Sequence, residues 1–446
     1  MDPDVIYEHS YDWWPVTAKW KQQGKQPYQP EVVVFPQSQE EVCKLAVWAS
    51  DHNIPITPWG AGSAVTGAPL PLSGGITLDV SRMNRVIEID ENNLLVKVEA
   101  GKKGDELEAE LNARGYTLNH SPQSLDRSTA GGWIATRATG QFSSRWGGIE
   151  DLAIAFTVIL ASGEVVETKL TPRAAIGPDV LHIFIGSEGI LGIVSDVTLK
   201  IFPLAEQRLF AAIHFASVEA GVAALRQIMQ SGLRPFLARF YDEDEARHAM
   251  QNAAFSGCVA FLGFEGISAV ASAEYDAGIS FCKSNGGKLL GGAAVLSWMD
   301  RRFDFSTVEN ILAQPGGLAE TIEIAHLWGD ILQTYHALKA ALQPFATEVL
   351  GHFSHVYPQG TSLYMILLGE AEDAAAAEER LLEIWEVAMR ICLEKGAAIS
   401  HHHGVGLARL PYIREELDSN LIVLQRIKDA LDPLNILSPG KLGLDS

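Results

Sequence analysis

Cysteine is scarce in this chain. There are four in 446 residues (Cys43, Cys258, Cys282 and Cys392), and no two form a C-x-x-C pair. That excludes a disulfide framework and a cysteine-ligated zinc or iron–sulfur centre, and it points to a reducing compartment. Basic residues are also outnumbered: 34 Lys and Arg stand against 55 Asp and Glu, for a formal charge of −21. This balance opposes nucleic acid and anionic membrane surfaces as partners, so an anionic substrate must be met by individually placed Arg, Lys or His. No apolar run reaches transmembrane length, and Met1-Asp2-Pro3-Asp4 lacks the basic and apolar regions of a signal peptide. The expectation is a cytoplasmic, multidomain enzyme acting on a small molecule.

What is present in quantity is glycine, and its placement is informative. In Pro58-Trp59-Gly60-Ala61-Gly62-Ser63-Ala64-Val65-Thr66-Gly67-Ala68, three glycines fall within eight residues, after a short apolar strand expected at Ile54–Thr57. Glycine lets backbone approach a ligand closely, and successive N–H groups can cradle an anion. A dinucleotide-binding Rossmann turn would start a helix inside the glycine run. Here Pro69, Pro71, Gly74 and Gly75 follow, then a strand at Ile76–Val80. The order strand, glycine loop, strand leaves bare backbone amides to hold a phosphate.

The first 205 residues mix helices with antiparallel hairpins. Ser38-Gln39-Glu40-Glu41 caps a helix with Val42, Leu45, Ala46 and Ala49 on one face. Hairpins are expected around Glu91-Asn92-Asn93 and Ser162-Gly163. Beyond Pro203 the pattern strand, helix, strand recurs, with residues 318–342 expected as helix, strands near 347–356 and 362–368, and a long helix over 371–395. The class is α+β. The expected division is 1–205, 206–400 and a returning segment at 401–446.

Further donor-rich turns lie in the first part: Pro122-Gln123-Ser124-Leu125-Asp126-Arg127-Ser128-Thr129-Ala130-Gly131-Gly132-Trp133, then Thr136-Arg137-Ala138-Thr139-Gly140, then Gly186-Ser187-Glu188-Gly189-Ile190-Leu191-Gly192-Ile193-Val194. Together with the glycine loop they suit an extended, phosphate-containing cofactor. These segments, with Gly147–Leu152 and His401-His402-His403-Gly404-Val405-Gly406, resemble the FAD-binding superfamily of vanillyl-alcohol oxidase and p-cresol methylhydroxylase. Within it the alkylglycerone-phosphate synthase branch is the nearest resemblance, over about residues 28–442. The resemblance implies a two-subdomain FAD-binding domain of the p-cresol methylhydroxylase (PCMH) type, with an α+β cap domain on an antiparallel sheet. It assigns the pyrophosphate to Pro58, Trp59, Gly60, Ala61, Gly62, Ser63 and Ala64. The flavin and ribityl side falls to Gln123, Ser124, Leu125, Asp126, Ser128, Thr129, Thr136, Arg137, Ala138 and Thr139. More of the cofactor goes to Glu188, Gly189, Leu191, Gly192, Ile193 and Val194. Relatives that bind flavin covalently use a histidine beside the glycine loop; Ala61, Ser63 and Ala64 stand there, so the FAD is expected to be non-covalent.

By the same resemblance, His403 is the favoured catalytic histidine with His401 and His402 in support, Tyr364 is an active-site tyrosine and Arg239 lies near the substrate. On an extended chain alternate residues share a face, which would pair His401 with His403. The branch also has a phosphate-binding arginine some fifteen residues before a Glu-Thr pair. Here that pair is Glu320-Thr321, no arginine lies between Ser306 and Ala319, and Arg301 and Arg302 lie further upstream. Related hydroxy-acid dehydrogenases carry a metal; the nearest equivalents, His352 and His355, are three apart and would face opposite sides of a strand, and Ser400 stands where an acidic residue is expected. No metal is expected. Three functions stay open: hydride transfer from a small hydroxy acid or alcohol to flavin, synthase-like transfer without net redox change, and a flavin subunit of a larger dehydrogenase. The electron acceptor is not identified, and a homodimer stays open.

Overall fold

A computed structural model describes residues 2–444 of the chain. The fold is α+β, in two compact units. The first comprises residues 2–139, 148–203 and 402–444; the second comprises residues 140–147 and 204–401.

In the first unit, strands β1 (Val32–Val34), β2 (Ile56–Trp59) and β3 (Ile76–Asp79) form a parallel sheet in the order β1–β3–β2. Helix Gln39–His52 is started by Ser38, whose Oγ accepts from the Glu41 N–H, and it buries Val42, Ala46 and Ala49 in a core shared with Ile56, Ile76, Leu78 and Leu437. Asn53 leaves the helix at φ +53°, and the Ile54 N–H still donates to Ala49. The strand expected from Ile54 therefore begins two residues later, because Ile54 and Pro55 complete the helix exit. The tail closes the sheet's other edge: Ile56 N–H donates to Ile436 at 2.7 Å and Ser438 N–H to Ile56 at 2.8 Å. After Trp59 no helix forms, as the glycine and proline pattern requires. Strands β4 (Val86–Asp90), β5 (Leu95–Glu99), β7 (Ala153–Ile159), β8 (Val165–Glu167) and β9 (Ile193–Lys200) make an antiparallel sheet in the order β4–β5–β9–β7–β8, while β6 (Tyr116–Thr117) pairs with β10 (Phe202–Pro203).

The second unit is one seven-stranded antiparallel sheet. Its strands are β11 (Gln207–Phe215), β12 (Leu237–Tyr241), β13 (Cys258–Gly266), β14 (Lys288–Gly291), β15 (Gly317–Leu327), β16 (Glu348–Val356) and β17 (Gly360–Glu370), in the order β14–β11–β13–β12–β16–β17–β15. Residues 318–342, expected as one helix, split into strand β15 and helix Ile331–Leu342. The strand was hidden because both its faces are buried, so its residues show no alternation. Glu320 and Glu323, spaced like one helical face, are instead buried acceptors: Glu320 takes the Trp385 Nε1–H and Glu323 the Ser400 hydroxyl. Residues 140–147 belong here because Arg145 donates to the Arg234 carbonyl and to Glu274, and Trp146 Nε1–H to Glu265. Among the described residues no helix is long and apolar enough to cross a membrane.

Packing of helix Val218–Gln230 on this sheet depends on Gly221, where a Cβ would stand 1.8 Å from the Phe240 ring. Alanine in a helix gains about 1 kcal/mol over glycine, whereas overpacking costs about 1–3 kcal/mol. Gly221→Ala is therefore expected to lower the thermal midpoint, and an unchanged or raised midpoint in a calorimetric scan would contradict this packing.

Candidate functional site

The glycine loop of the first unit is gripped by both ends of the chain. Ala64 accepts from the Trp13 N–H at 2.9 Å, Gly67 N–H donates to Asp12 at 2.7 Å, and Lys441 Nζ donates to the Ala68 carbonyl. Burial pushes the Asp12 carboxyl up to about 7 and the Lys441 ammonium down to about 8. Within this grip, the backbone N–H groups from Ala61 to Thr66 donate to no described residue. The glycines are required sterically: a Cβ on Gly60 would lie 2.5 Å from Thr129 Oγ1, and one on Gly62, at φ +65°, 2.4 Å from the Trp59 ring.

Close contacts bring part of the sequence-assigned set together, Gly60 with Thr129 and Pro58 with Gly189. Thr129 caps helix Ala130–Thr136, its Oγ1 accepting from Gly132 N–H, and Ser128 accepts from Trp133 Nε1–H. Thr136 Oγ1 donates back to Gly132; Arg137 leaves the helix at φ +56° and pairs with Glu150; Ala138 accepts from Ile149 N–H, and Thr139 is buried. Gly189 lies against Pro58 and Ser438. Glu188 accepts from the N–H groups of Val405 and Gly406, which ties the glycine end of the histidine motif to this unit. Burial raises the Glu188 carboxyl. Gly192 packs on Val158, and Ile193 and Val194 open β9 and join the core, with Leu191 buried beside them. The segment from Gln123 to Asp126 reaches the loop indirectly: Asp126 pairs with Arg127, whose guanidinium lies 4.2 Å over the Trp13 ring, while Gln123 is exposed, Ser124 half-buried and Leu125 packed on Gly104. His402 and His403 have their rings in contact at 4.6 Å. The expected alternation fails because residues 401–403 form a bend, not a strand.

In the second unit the sheet register builds a polar row. Tyr241 on β12 pairs with His352 on β16, His352 with Tyr364 on β17, and Tyr364 with Glu323 on β15. Directly paired residues share a face, so four polar side chains stand side by side. The His352 and Tyr364 rings stack at 4.5 Å and 15°. Arg239, two residues before Tyr241, donates through Nε to the Tyr241 hydroxyl at 2.8 Å and through Nη2 to His352 Nε2 at 2.9 Å. Glu245, near the start of helix Glu243–Ala249, accepts from His352 Nδ1 at 2.8 Å. Burial holds His352 below the usual histidine range, with Glu245 pulling the other way, and pushes the Tyr241 hydroxyl up to about 12. Arg239 forms no ion pair with its chain neighbours Asp242 and Glu243; Asp242 instead accepts from Tyr335 and Lys339 and caps the helix bearing Glu245.

A bulge adds to the row. His355 sits at φ +50° where the β16–β17 register shifts, so the strand's simple alternation is broken and His355 comes within 6.2 Å of the Tyr364 ring on the His352 side. This corrects the expectation that His352 and His355 face opposite ways. His355 Nδ1 bonds Ser143 Oγ at 2.8 Å, and its ring stacks on His401 at 5.0 Å. His401 is held by Glu323, which accepts its N–H, and by Tyr357, whose hydroxyl meets Nε2 at 2.9 Å.

Residues 30–169 match the FAD binding domain family, and residues 204–442 match the C-terminal domain of FAD linked oxidases, over half of the chain. The chain belongs to the FAD-linked oxidases. Among similar relatives, an alkyldihydroxyacetonephosphate synthase of Dictyostelium discoideum is 29% identical over 93% of this chain and 73% of its own. The uncharacterized FAD-linked oxidoreductase YgcU of Escherichia coli K12 is 32% identical over 93% of this chain and 89% of its own. Glycolate oxidase subunit GlcD of Bacillus subtilis is 26% identical over 93% and 89%. The solved structure of p-cresol methylhydroxylase superposes with a TM-score of 0.79 at 16% identity, over 100% of this chain and 93% of that one, which bears out the expected PCMH-type fold.

FAD is the cofactor of this family, and the first unit has features that fit it. The free N–H run of the glycine loop suits a pyrophosphate. Buried polar atoms without a protein partner also occur here: Asn119 Oδ1, both His120 ring nitrogens, Ser121 Oγ and Ser438 Oγ. Such groups are costly unless something bonds them. Burial drives His120 down to about 3, so it is a neutral imidazole. Sequence reasoning missed Asn119–Ser121; their only signal is position, just ahead of the Pro122–Trp133 segment. It also missed Glu245, Tyr241, Glu323 and Tyr357, which register and folding bring to the row from distant stretches. Gly62→Val, which meets both a clash and a positive φ, is expected to weaken FAD binding at least tenfold. The ratio of flavin to protein absorbance after gel filtration checks this, and full loading would overturn the loop's role.

Proposed function

We propose that this protein is an FAD-dependent oxidoreductase that oxidises the CH–OH group of a small hydroxy acid. The observation that carries the reading is the polar row of the second unit, where one guanidinium with open donors, a neutral imidazole and two tyrosine hydroxyls occur together. FAD, when bound, supplies the two-electron acceptor that takes a hydride at N5. The protein's own groups handle the rest. Arg239 pairs with the substrate anion, His403 takes the hydroxyl proton, and Tyr364 and His401 steer the hydroxyl. His402, in ring contact with His403, holds it in place. The relative named glycolate oxidase subunit supports this class of substrate.

The loop from Gly60 to Ala68 contains no histidine, cysteine or tyrosine that could bond to flavin, which favours non-covalent FAD. Acid precipitation should then leave yellow flavin in the supernatant, and a fluorescent pellet would contradict it. Anaerobic stopped-flow mixing with glycolate, D-lactate and longer 2-hydroxy acids should bleach the flavin, and His403→Ala should slow bleaching about 10²-fold or more. If no acid of the panel bleaches it, the proposal fails.

The relative named alkyldihydroxyacetonephosphate synthase supports a second reading, transfer without net redox change. Against it, residues 306–319 offer no arginine for a phosphate, and Arg301 spends Nη2 on the Ala249 carbonyl. Exchange of the acyl group of acyl-dihydroxyacetone phosphate for a fatty alcohol would establish that reading; absence of ether product at high enzyme concentration removes it.

A further inference from the structure

Arg239 has more fixing contacts than a surface arginine needs. Its two bonds both leave from one side of the guanidinium: Nε and Nη2 form the side-on edge, taken by Tyr241 and His352. Aromatic rings lie near the guanidinium as well, Trp298 with its centroid at 5.1 Å and Tyr241 at 5.5 Å. What stays open is the end-on fork, the outer hydrogens of Nη1 and Nη2, which have no acceptor among the described residues. Two parallel N–H groups match the two oxygens of a carboxylate.

The lock works only in one tautomer. Arginine has no acceptor, so Nη2 must donate and His352 Nε2 must present a lone pair. The ring proton is then on Nδ1, where it donates to Glu245 at 2.8 and 2.9 Å. Glu245 is buried and is itself fixed by Asp242, whose Oδ1 accepts the Glu245 N–H, while Lys339 and Tyr335 hold the other oxygen. A chain of buried polar bonds thus runs from Lys339 to the open fork of Arg239.

We propose that Glu245 and His352 are positioning residues that lock Arg239 with its end-on fork open, and that this fork selects a substrate carrying a monoanionic carboxylate. The proposal rests on the hydroxy-acid reading for the identity of the substrate but not for the binding of the anion. A fork with two donors satisfies both oxygens of a carboxylate; a phosphate monoester would bring a third oxygen and a second charge that the fork leaves unmatched.

The test is calorimetric titration of the FAD-loaded protein with butyrate, an unreactive carboxylate, with butanol and propyl phosphate as controls. Butyrate should bind at least tenfold more tightly than either control. His352→Phe keeps a flat ring on Tyr364 but removes the acceptor, and should weaken butyrate at least tenfold while leaving butanol and the flavin spectrum unchanged. Glu245→Gln, which frees the tautomer, should weaken it severalfold. His352→Gln restores an acceptor near the Nε2 position and should recover binding to within threefold of the parent. In turnover with an active hydroxy acid, His352→Phe should raise KM more than it lowers kcat. The proposal is overturned if propyl phosphate or butanol binds as well as butyrate, if His352→Phe binds butyrate normally, or if glutamine and phenylalanine behave alike. Failure of every hydroxy acid to bleach the flavin, with butyrate binding intact and lost in His352→Phe, would remove the hydride-transfer reading and leave this one standing.

Discussion

The first unit is organised around a loop that leaves its own hydrogen bonds unmade. Backbone N–H groups seek acceptors, and a buried one without a partner is costly. From Ala61 to Thr66 none donates to the described protein, so the loop cannot be held by its own backbone. It is held from outside: by Trp13 and Asp12 from the N-terminal segment, by Lys441 from the tail, and by steric contact of Gly60 with Thr129. The tail is itself fastened by Lys428, which is buried and donates to Asp432, Ile190 and Leu437. Removing one partner of such a buried pair typically costs about 3–5 kcal/mol. Residues separated by the whole length of the chain therefore converge on one stretch of backbone, whose unused donors suit a phosphate-bearing ligand.

The second unit solves a related problem with side chains. Glu245, His352 and Asp242 are all buried, and Arg239 is half-buried. Burying such groups is a net expense unless each is bonded. Here each is, in a fixed sense of donor and acceptor. Tyr335 and Lys339 donate to Asp242, Asp242 accepts the Glu245 N–H, His352 donates to Glu245, and Arg239 donates to His352. Such a network is rigid because reversing any one bond would set two donors or two acceptors against each other. The chain's formal charge of −21 makes this arrangement more important. A strongly acidic protein cannot draw in an anion by its overall field, so the anion binding proposed above would fall to a guanidinium whose direction is fixed.

The sequence reveals the parts of this design that depend on local spacing. The glycine loop, the absence of a helix after it, the capped helix at Ser38 and the hairpin turns are all short-range patterns. The donor-rich segments are likewise visible as compositions, and the structure brings Pro58, Gly60, Thr129 and Gly189 together. What is not legible is anything set by register. Glu245, His352 and Glu323 are separated by tens of residues, and only the pairing of four strands puts the last two in line with Tyr241 and Tyr364. The helix expected at 318–342 holds over Ile331–Leu342 and gives way to a strand before it for a physical reason of the same kind. A strand covered on both faces loses its alternation, and two buried carboxylates three residues apart then imitate a helical face.

The bulge at His355 shows how far local strain serves the site. A non-glycine residue in the left-handed region costs on the order of 1–3 kcal/mol. Without the extra residue, His352 and His355 would point away from each other, and the stack on His401 and the bond to Ser143 could not form. With it, Ser354 pairs with Ser362 and Val356 with Thr361, so the ladder resumes at once and the backbone loses little pairing. Tyr357 then closes the turn through its N–H to Gly360 at 2.8 Å, and its hydroxyl reaches His401. One strained residue thus turns a strand end into a platform with two imidazoles on the tyrosine side. Two side-chain contacts of His355 offset a cost of this size, which is why the distortion persists at this point of the strand and the regular ladder continues on either side of it.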